Sequence, residues 1–320
     1  MFSREQYDAA HNSAVITAAS TRGTIALTGA DRRSFLHALL TNDIAALTQG
    51  KGVYALYLTP QGRMISDIRV IDAGDRLLLG VEREMAPSLT ARFDKLIFSE
   101  DVEVSDISDG LDELGIHGPG AAALIERATG VSVADLRAQY DNLTSESKLF
   151  VRDDACGVPG FDVYVPAQAG PSLRDALISA GGIEASAETM EVLRIESGRP
   201  RFGIDMTTDT IPLEAGIEDR AISFTKGCYV GQEVIIRVMH RGHGRVARRL
   251  VRLVLQEGAA PSPGDKVFAG NQQIGEITSA VESPKAGAPL AMAYVHRDHS
   301  AAGTELTVNS SKAIVYQSGN

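Results

Sequence analysis

The chain has 320 residues, 44% hydrophobic and 22% charged, and its 31 Lys and Arg against 41 Asp and Glu leave a net charge of −10. That length suits two or three packed units with a core that needs no covalent staples, and two cysteines exclude a disulfide framework and fit a reducing compartment. The acidic balance excludes a surface built as a whole for nucleic acid or anionic lipid. The chain offers neither the roughly 20 apolar residues of a membrane span nor, in its polar start MFSREQYDAAHNSAV, the apolar stretch of a secretion signal, so a soluble cytoplasmic protein is expected.

In chain order, TIALTG (24–29) reads as a short strand. Asp31 follows as the cap of a helix whose Phe35, Leu36, Leu39 and Leu40 share one face. VYALYLT (53–59) is a strand, PQGR (60–63) a tight turn, and MISDIRVID and RLLLGV further strands. A helix over about 84–96 and the strand DVEVSDI complete a β-α-β-β-α-β order with one extra hairpin strand, the ferredoxin-like plan. The middle third repeats it: LDELGIHG as strand, GPGAAALIERATG as a helix closed by Gly130, SKLFVRD and GFDVYVP as a strand pair, PSLRDALISAGG as helix and IEAS as a last short strand.

ETMEVLRIES (188–197) is a helix ended by Gly198 and Pro200, and 201–219 reads as an irregular connection. The last 70 or so residues are short strands split by Gly and Pro turns, the spacing of a small closed barrel. The expected class is therefore α+β: tandem ferredoxin-like units forming a body over 1–245, with a subdomain break near 108–112 and a connecting helix and loop over 188–225, then a small antiparallel β-barrel over 246–320.

Three features carry candidate chemistry. Cys228 lies between Gly227 and Gly231, two residues from Lys226. In an extended segment the ammonium would share its face and lower the thiol pKa, while the alternative is a small buried hydrophobe. From Lys226 to Arg249 there are six Lys or Arg, among them Arg237 and Arg241, and one acid, Glu233. Such a stretch attracts an anionic small molecule or is a solvated face paired with acids elsewhere. His240 and His243 lie within it without a third ligand at zinc spacing, so no metal is expected. Asp67 sits in mid-strand between apolar neighbours and needs a partner or solvent. Glu196 lies at a helix C-terminus, where the dipole disfavours an anion and Arg194 and Arg199 offset it.

KGCYVGQE (226–233) resembles the signature of the YgfZ-type folate-binding proteins, relatives of the aminomethyltransferase (T-protein) of the glycine cleavage system. LRIESGRPRFGID (193–205), TIPLEAGI (210–217), LTPQGRMISDIRV (58–70) and FLHALLTNDI (35–44) resemble family segments in the same order, so the likeness covers nearly the whole chain. The resemblance implies α+β units and a C-terminal barrel around a pocket for tetrahydrofolate or a one-carbon-substituted folate. In it Asp67 and Glu196 would face the pterin, whose edge offers donors to a carboxylate, and Arg237 and Arg241 would receive the glutamyl tail. Tyr229 would pack on a flat ring or serve as a core tyrosine. On this resemblance Cys228 would be the functional thiol, with Lys226 lowering its pKa, Gly227 and Gly231 shaping the loop, and Gln232 and Glu233 holding it by hydrogen bonds.

Aminomethyltransferases of the family typically carry an acid where this chain has Cys228 and paired acids where it has Ser66 and Asp67. These departures point to an accessory factor for assembly or repair of iron–sulfur proteins, its partners folate and iron–sulfur clients or assembly proteins, with no nucleic acid and no membrane. The alternatives are a folate-dependent aminomethyl, methyl or formyl transferase or demethylase, and a scaffold with a vestigial pocket.

Overall fold

The computed structural model describes residues 1–17, 22–154, 156–240 and 245–316. They group into two compact units interleaved along the chain: Met1–Tyr57, Ser66–Met190 and Arg220–Val230 in the first, and Leu58–Ile65, Glu191–Asp219 and Gly231–Asn320 in the second. Among the described residues no helix is long and apolar enough to cross a membrane.

The first unit is built on two sheets. The five-stranded one has the order Gly52–Leu58, Met64–Asp72, Leu77–Glu82, Arg22–Thr28, Glu103–Asp106. The turn at 60–63 between the first two of these strands, which belongs to the second unit, forms as expected: Thr59 and Arg63 close it by a main-chain bond of 2.8 Å and Gly62 takes φ +74°. The helix Arg32–Leu39 buries Phe35 and Leu36, but the side chain of Asp31, its N-cap residue, makes no capping bond. Its carboxylate instead accepts the N–H of Asp101, whose own side chain accepts that of Ala30. A non-local pair of bonds thus replaces the local cap.

The six-stranded sheet runs Ile183–Glu184, Val15–Thr17, Leu111–His117, Gly160–Pro166, Lys148–Arg152, Asn142–Ser145. Here the chain departs from a plain repeat. Val15–Thr17, preceded by the helix Arg4–Asn12, lies between the first and last strands of that sheet's own segment, antiparallel to Leu111–His117 and parallel to Ile183–Glu184. Val15 and Ile16 are fully buried, one toward each face of the sheet, in a strand of three residues that is too short to show as a period in sequence. Ile16 joins Ile116, Phe150, Phe161, Leu124 and Leu177 in the core of this sheet and its helices. A buried ion cluster joins the two sheets: Arg69 donates to Asp153 and Asp162 (both 2.5 Å) and to Glu113 (2.7 Å).

In the second unit six antiparallel strands close a barrel, in the order Arg248–Leu255, Ala288–His296, Gln272–Ser283, Lys266–Ala269, Glu305–Val308, Ser311–Tyr316. Inward residues such as Leu253, Val267, Ile277, Ala293 and Val308 fill it. The register shift between Ile277 and Ser279 turns the hydroxyls of Thr278 and Ser279 toward Asp205, to which both donate, and Arg194 donates to the other oxygen of that carboxylate at 2.6 Å. The connection expected to be irregular holds short helices at Pro212–Ala215 and Glu218–Ala221. Within the basic stretch 226–249, Gln232–His240 is a helix, with Ile235 buried. Arg241 lies outside the described residues.

Candidate functional site

Asp67 sits in the strand Met64–Asp72 and is 6% exposed. Strand alternation turns it to the same face as Arg69 and away from Ser66, which is fully buried and donates its hydroxyl to the Asp67 carbonyl. Residues 66 and 67 are therefore not two neighbours on one site face, and an acid in place of Ser66 would not stand beside Asp67. Asp67 Oδ2 accepts the hydroxyl of Tyr54 at 2.9 Å, while Oδ1 is buried without a hydrogen-bond partner. Tyr54 comes from the adjacent strand Gly52–Leu58, and the Arg220 guanidinium lies 4.7 Å from its ring centre. Burial, and after it the Asp67 charge, push the Tyr54 hydroxyl well above its usual pKa, so it stays a donor.

Thr41 and Asn42 fix this geometry. The Thr41 hydroxyl donates to the Ala221 carbonyl and accepts the N–H of Leu56, and Asn42 donates to the carbonyls of Tyr54 and Arg220. Two residues after the helix Arg32–Leu39 thus bind the Tyr54 strand to the segment that leads into Lys226. None of Thr41, Asn42, Tyr54 or Arg220 was singled out from sequence. A polar Thr-Asn pair directly after an apolar helix was the available signal.

The expected arrangement around Cys228 is corrected. Residues 222–231 form no strand, and Lys226 directs its hydrogen bonds to main-chain carbonyls rather than to the thiol. Its ammonium donates to the main-chain carbonyls of His37, Leu40 and Asn42 and lies 5.2 Å from the centre of the Tyr229 ring. These oxygens lie at and just beyond the end of the helix Arg32–Leu39, where a cation is favoured. Burial pulls the ammonium down to about 8. Cys228 is exposed, Gly227 has open space around it, and Tyr229 is buried.

Gly231, Gln232, Glu233 and Arg237 belong to the second unit. Gly231 takes φ +85°, and a Cβ there would stand 2.5 Å from the Thr59 carbonyl, so it is glycine to let the start of the helix approach the 60–63 turn. Gln232 and Glu233 open that helix, and Arg237 is exposed on it. Glu196, also in the second unit, is buried; its Oε1 accepts the Ser283 hydroxyl and the Lys285 N–H. That oxygen is committed to a barrel turn. Among the described residues no three His, Cys, Asp or Glu converge as metal ligands.

Residues 2–226 match the family described as GCVT N-terminal domain, and residues 248–315 match the Glycine cleavage T-protein C-terminal barrel domain. The chain is 26% identical over 320 residues to the Aminomethyltransferase of Bacillus subtilis, covering 98% of this chain and 88% of that one. It is 29% identical over 313 residues to that of Streptomyces coelicolor, covering 94% and 83%. The crystal structure of glycine cleavage system aminomethyltransferase T from Bartonella henselae shares the fold, with a TM-score of 0.89 at 22% identity over 98% of this chain and 88% of that one. With both parts of the chain matched in order, and the barrel closed as the second match requires, the protein belongs to the glycine cleavage T-protein family.

Proposed function

We propose that the protein binds tetrahydrofolate, or a one-carbon-substituted form of it, and acts in folate-dependent one-carbon transfer. One observation carries this reading: Asp67 keeps Oδ2 on Tyr54 and holds Oδ1 buried without a donor. A buried acceptor left without a donor costs about 1–3 kcal/mol, which a ligand offering an N–H recovers. The pterin edge, with an amino group and a ring N–H, is such a ligand. The aminomethyltransferase relatives support the same choice. Calorimetry with 5-formyltetrahydrofolate tests it: Asp67→Asn should weaken binding roughly tenfold or more while the protein stays folded. Equal affinity in the two proteins would sink the assignment of Asp67, and no binding by wild type would sink the folate reading.

A second reading has its own observation. Cys228 is exposed in KGCYVGQE, where T-protein relatives typically carry an acid. An exposed thiol at that place supports a YgfZ-type accessory role in iron–sulfur assembly or repair in the cytoplasm, using Cys228 as a nucleophile or as one ligand of a shared cluster. On the same family reading, the two sheets of the first unit are two ferredoxin-like copies, the second interrupted by the N-terminal strand. In cells lacking the protein, activity of a [4Fe–4S] enzyme should return with wild type and not with Cys228→Ala at matched levels. Equal rescue by both would remove the thiol from the mechanism, and rescue by neither would leave one-carbon transfer alone.

A further inference from the structure

We propose that a cavity of about 350 Å³ in the second unit is a binding site for a small organic monocarboxylate, held by the guanidinium of Arg252. Arg252 lies on the strand Arg248–Leu255 and is half-buried. Its Nη1 donates to the carbonyl of Glu196 at the end of the helix Ala187–Ser197, and the Tyr316 ring centre lies 5.0 Å from Cζ. Among the described residues it has no carboxylate within ion-pair distance, and Nε and Nη2 make no hydrogen bond. In a chain with ten more acids than bases, most arginines that leave the surface are matched; Arg69 alone meets three carboxylates. Burial pulls the Arg252 pKa below its usual value, with only Tyr316 opposing.

Capping the helix engages Nη1 and leaves the Nε and Nη2 nitrogens. Gly198 stands beside them at φ +70°; a Cβ there would lie 3.2 Å from Nε and 3.3 Å from Cζ, so the glycine keeps that edge of the guanidinium open. A fork of Nε and Nη2 with one face covered by an aromatic ring matches the two oxygens of a carboxylate. The ligand is a monoanion because Arg252 is the one cation among the lining residues and the helix presents its negative C-terminal end there, which disfavours a second charge. Its body is organic because Leu250, on the same strand, Val251 and Met292, the cross-strand partner of Arg252, add apolar lining beside the guanidinium, and the volume is that of a small-molecule pocket.

Calorimetric titration of the full chain with benzoate tests the site, with inorganic phosphate as the comparator. Wild type should bind benzoate saturably and in preference to phosphate. Arg252→Met should weaken it roughly tenfold or more, with circular dichroism and thermal midpoint showing that the variant folds. Ala302→Trp, which fills the cavity from an exposed lining position and keeps the arginine and its cap, should weaken it as well. Asp67→Asn should leave it unchanged, which separates this site from the folate reading. Absence of saturable binding to wild type, retention of it in Arg252→Met or in Ala302→Trp, loss of it in Asp67→Asn, or phosphate binding as tightly as benzoate would each overturn the proposal; in the first two cases the guanidinium is a helix cap only.

Discussion

Lys226 sends its ammonium to the carbonyls of His37, Leu40 and Asn42, oxygens at and beyond the end of the helix Arg32–Leu39. Helix ends leave such acceptors unsatisfied, and burying them unpaired is costly. One cation answering three of them holds the segment leading into Cys228 against the first helix, so the lysine in KGCYVGQE shapes the loop rather than the thiol. Lys226→Met should lower unfolding free energy by about 2–3 kcal/mol, read from urea denaturation. Cys228→Ala removes only an exposed side chain and should stay within about 0.5 kcal/mol of wild type. The opposite ranking would make the cysteine a packing residue and the lysine dispensable.

At the scale of elements, His117 at the end of the strand Leu111–His117 lies between two glycines on neighbouring positions of its sheet. A Cβ at Gly115 would stand 2.4 Å from Nε2, and one at Gly160 would stand 2.4 Å from Nδ1 and 2.5 Å from the Asp153 carbonyl. The Gly160 strand pairs with the His117 strand in direct register, so the imidazole cannot give way without shifting backbone. Gly160→Ala should therefore destabilise by about 1–3 kcal/mol, although glycine to alanine in a strand is otherwise favourable. A urea midpoint equal to or above that of wild type would contradict this.

The same contrast separates what sequence made legible from what it did not. The 60–63 turn, the helix closed by Gly130 and the barrel were written in local Pro, Gly and apolar spacing. The Val15–Thr17 strand was too short for a period, and Gln232–His240 was hidden by the glycines and charges that follow it. At the site, Asp67 was legible as a carboxylate in an apolar strand, but its partner Tyr54 is 13 residues away and Arg220 is brought in by the Thr41 and Asn42 bonds. Glu196 and Lys226 were legible as polar residues of motifs, yet their non-local partners are visible only in three dimensions.

For the molecule as a whole, the burial of charge in the first unit sets how stability responds to acid. His117 is buried; burial lowers its pKa, Arg69 lowers it further, and Asp153, Asp154 and Glu113 work against this. The folded protein therefore holds His117 neutral where the unfolded chain, with a histidine pKa near the ordinary value of about 6.5, takes up a proton. The unfolded state then binds more protons, so stability rises with pH and is lost as pH falls below about 6.5, by up to about 1.4 kcal/mol per pH unit until the folded pKa is reached. Asp153 acts in a separate window. Arg69 and the Gln139 amide oppose its burial and hold it at about 2. Its contribution is present above the unfolded carboxyl value of about 3.8 and is lost only as pH falls from there toward about 2. Asp162, which burial holds well above the ordinary carboxyl value against the pull of Arg69, acts in the opposite direction to His117, and His37, lowered by burial and then by Lys226, acts in the same direction, so the His117 share of the slope between about pH 6.5 and 5 is the difference between wild type and a variant without the imidazole. As pH falls across that interval, the urea midpoint of wild type should drop relative to that of His117→Asn, whatever their absolute levels. Parallel slopes in the two proteins would mean that His117 titrates alike in the folded and unfolded chains, and would require another group to account for the acid sensitivity.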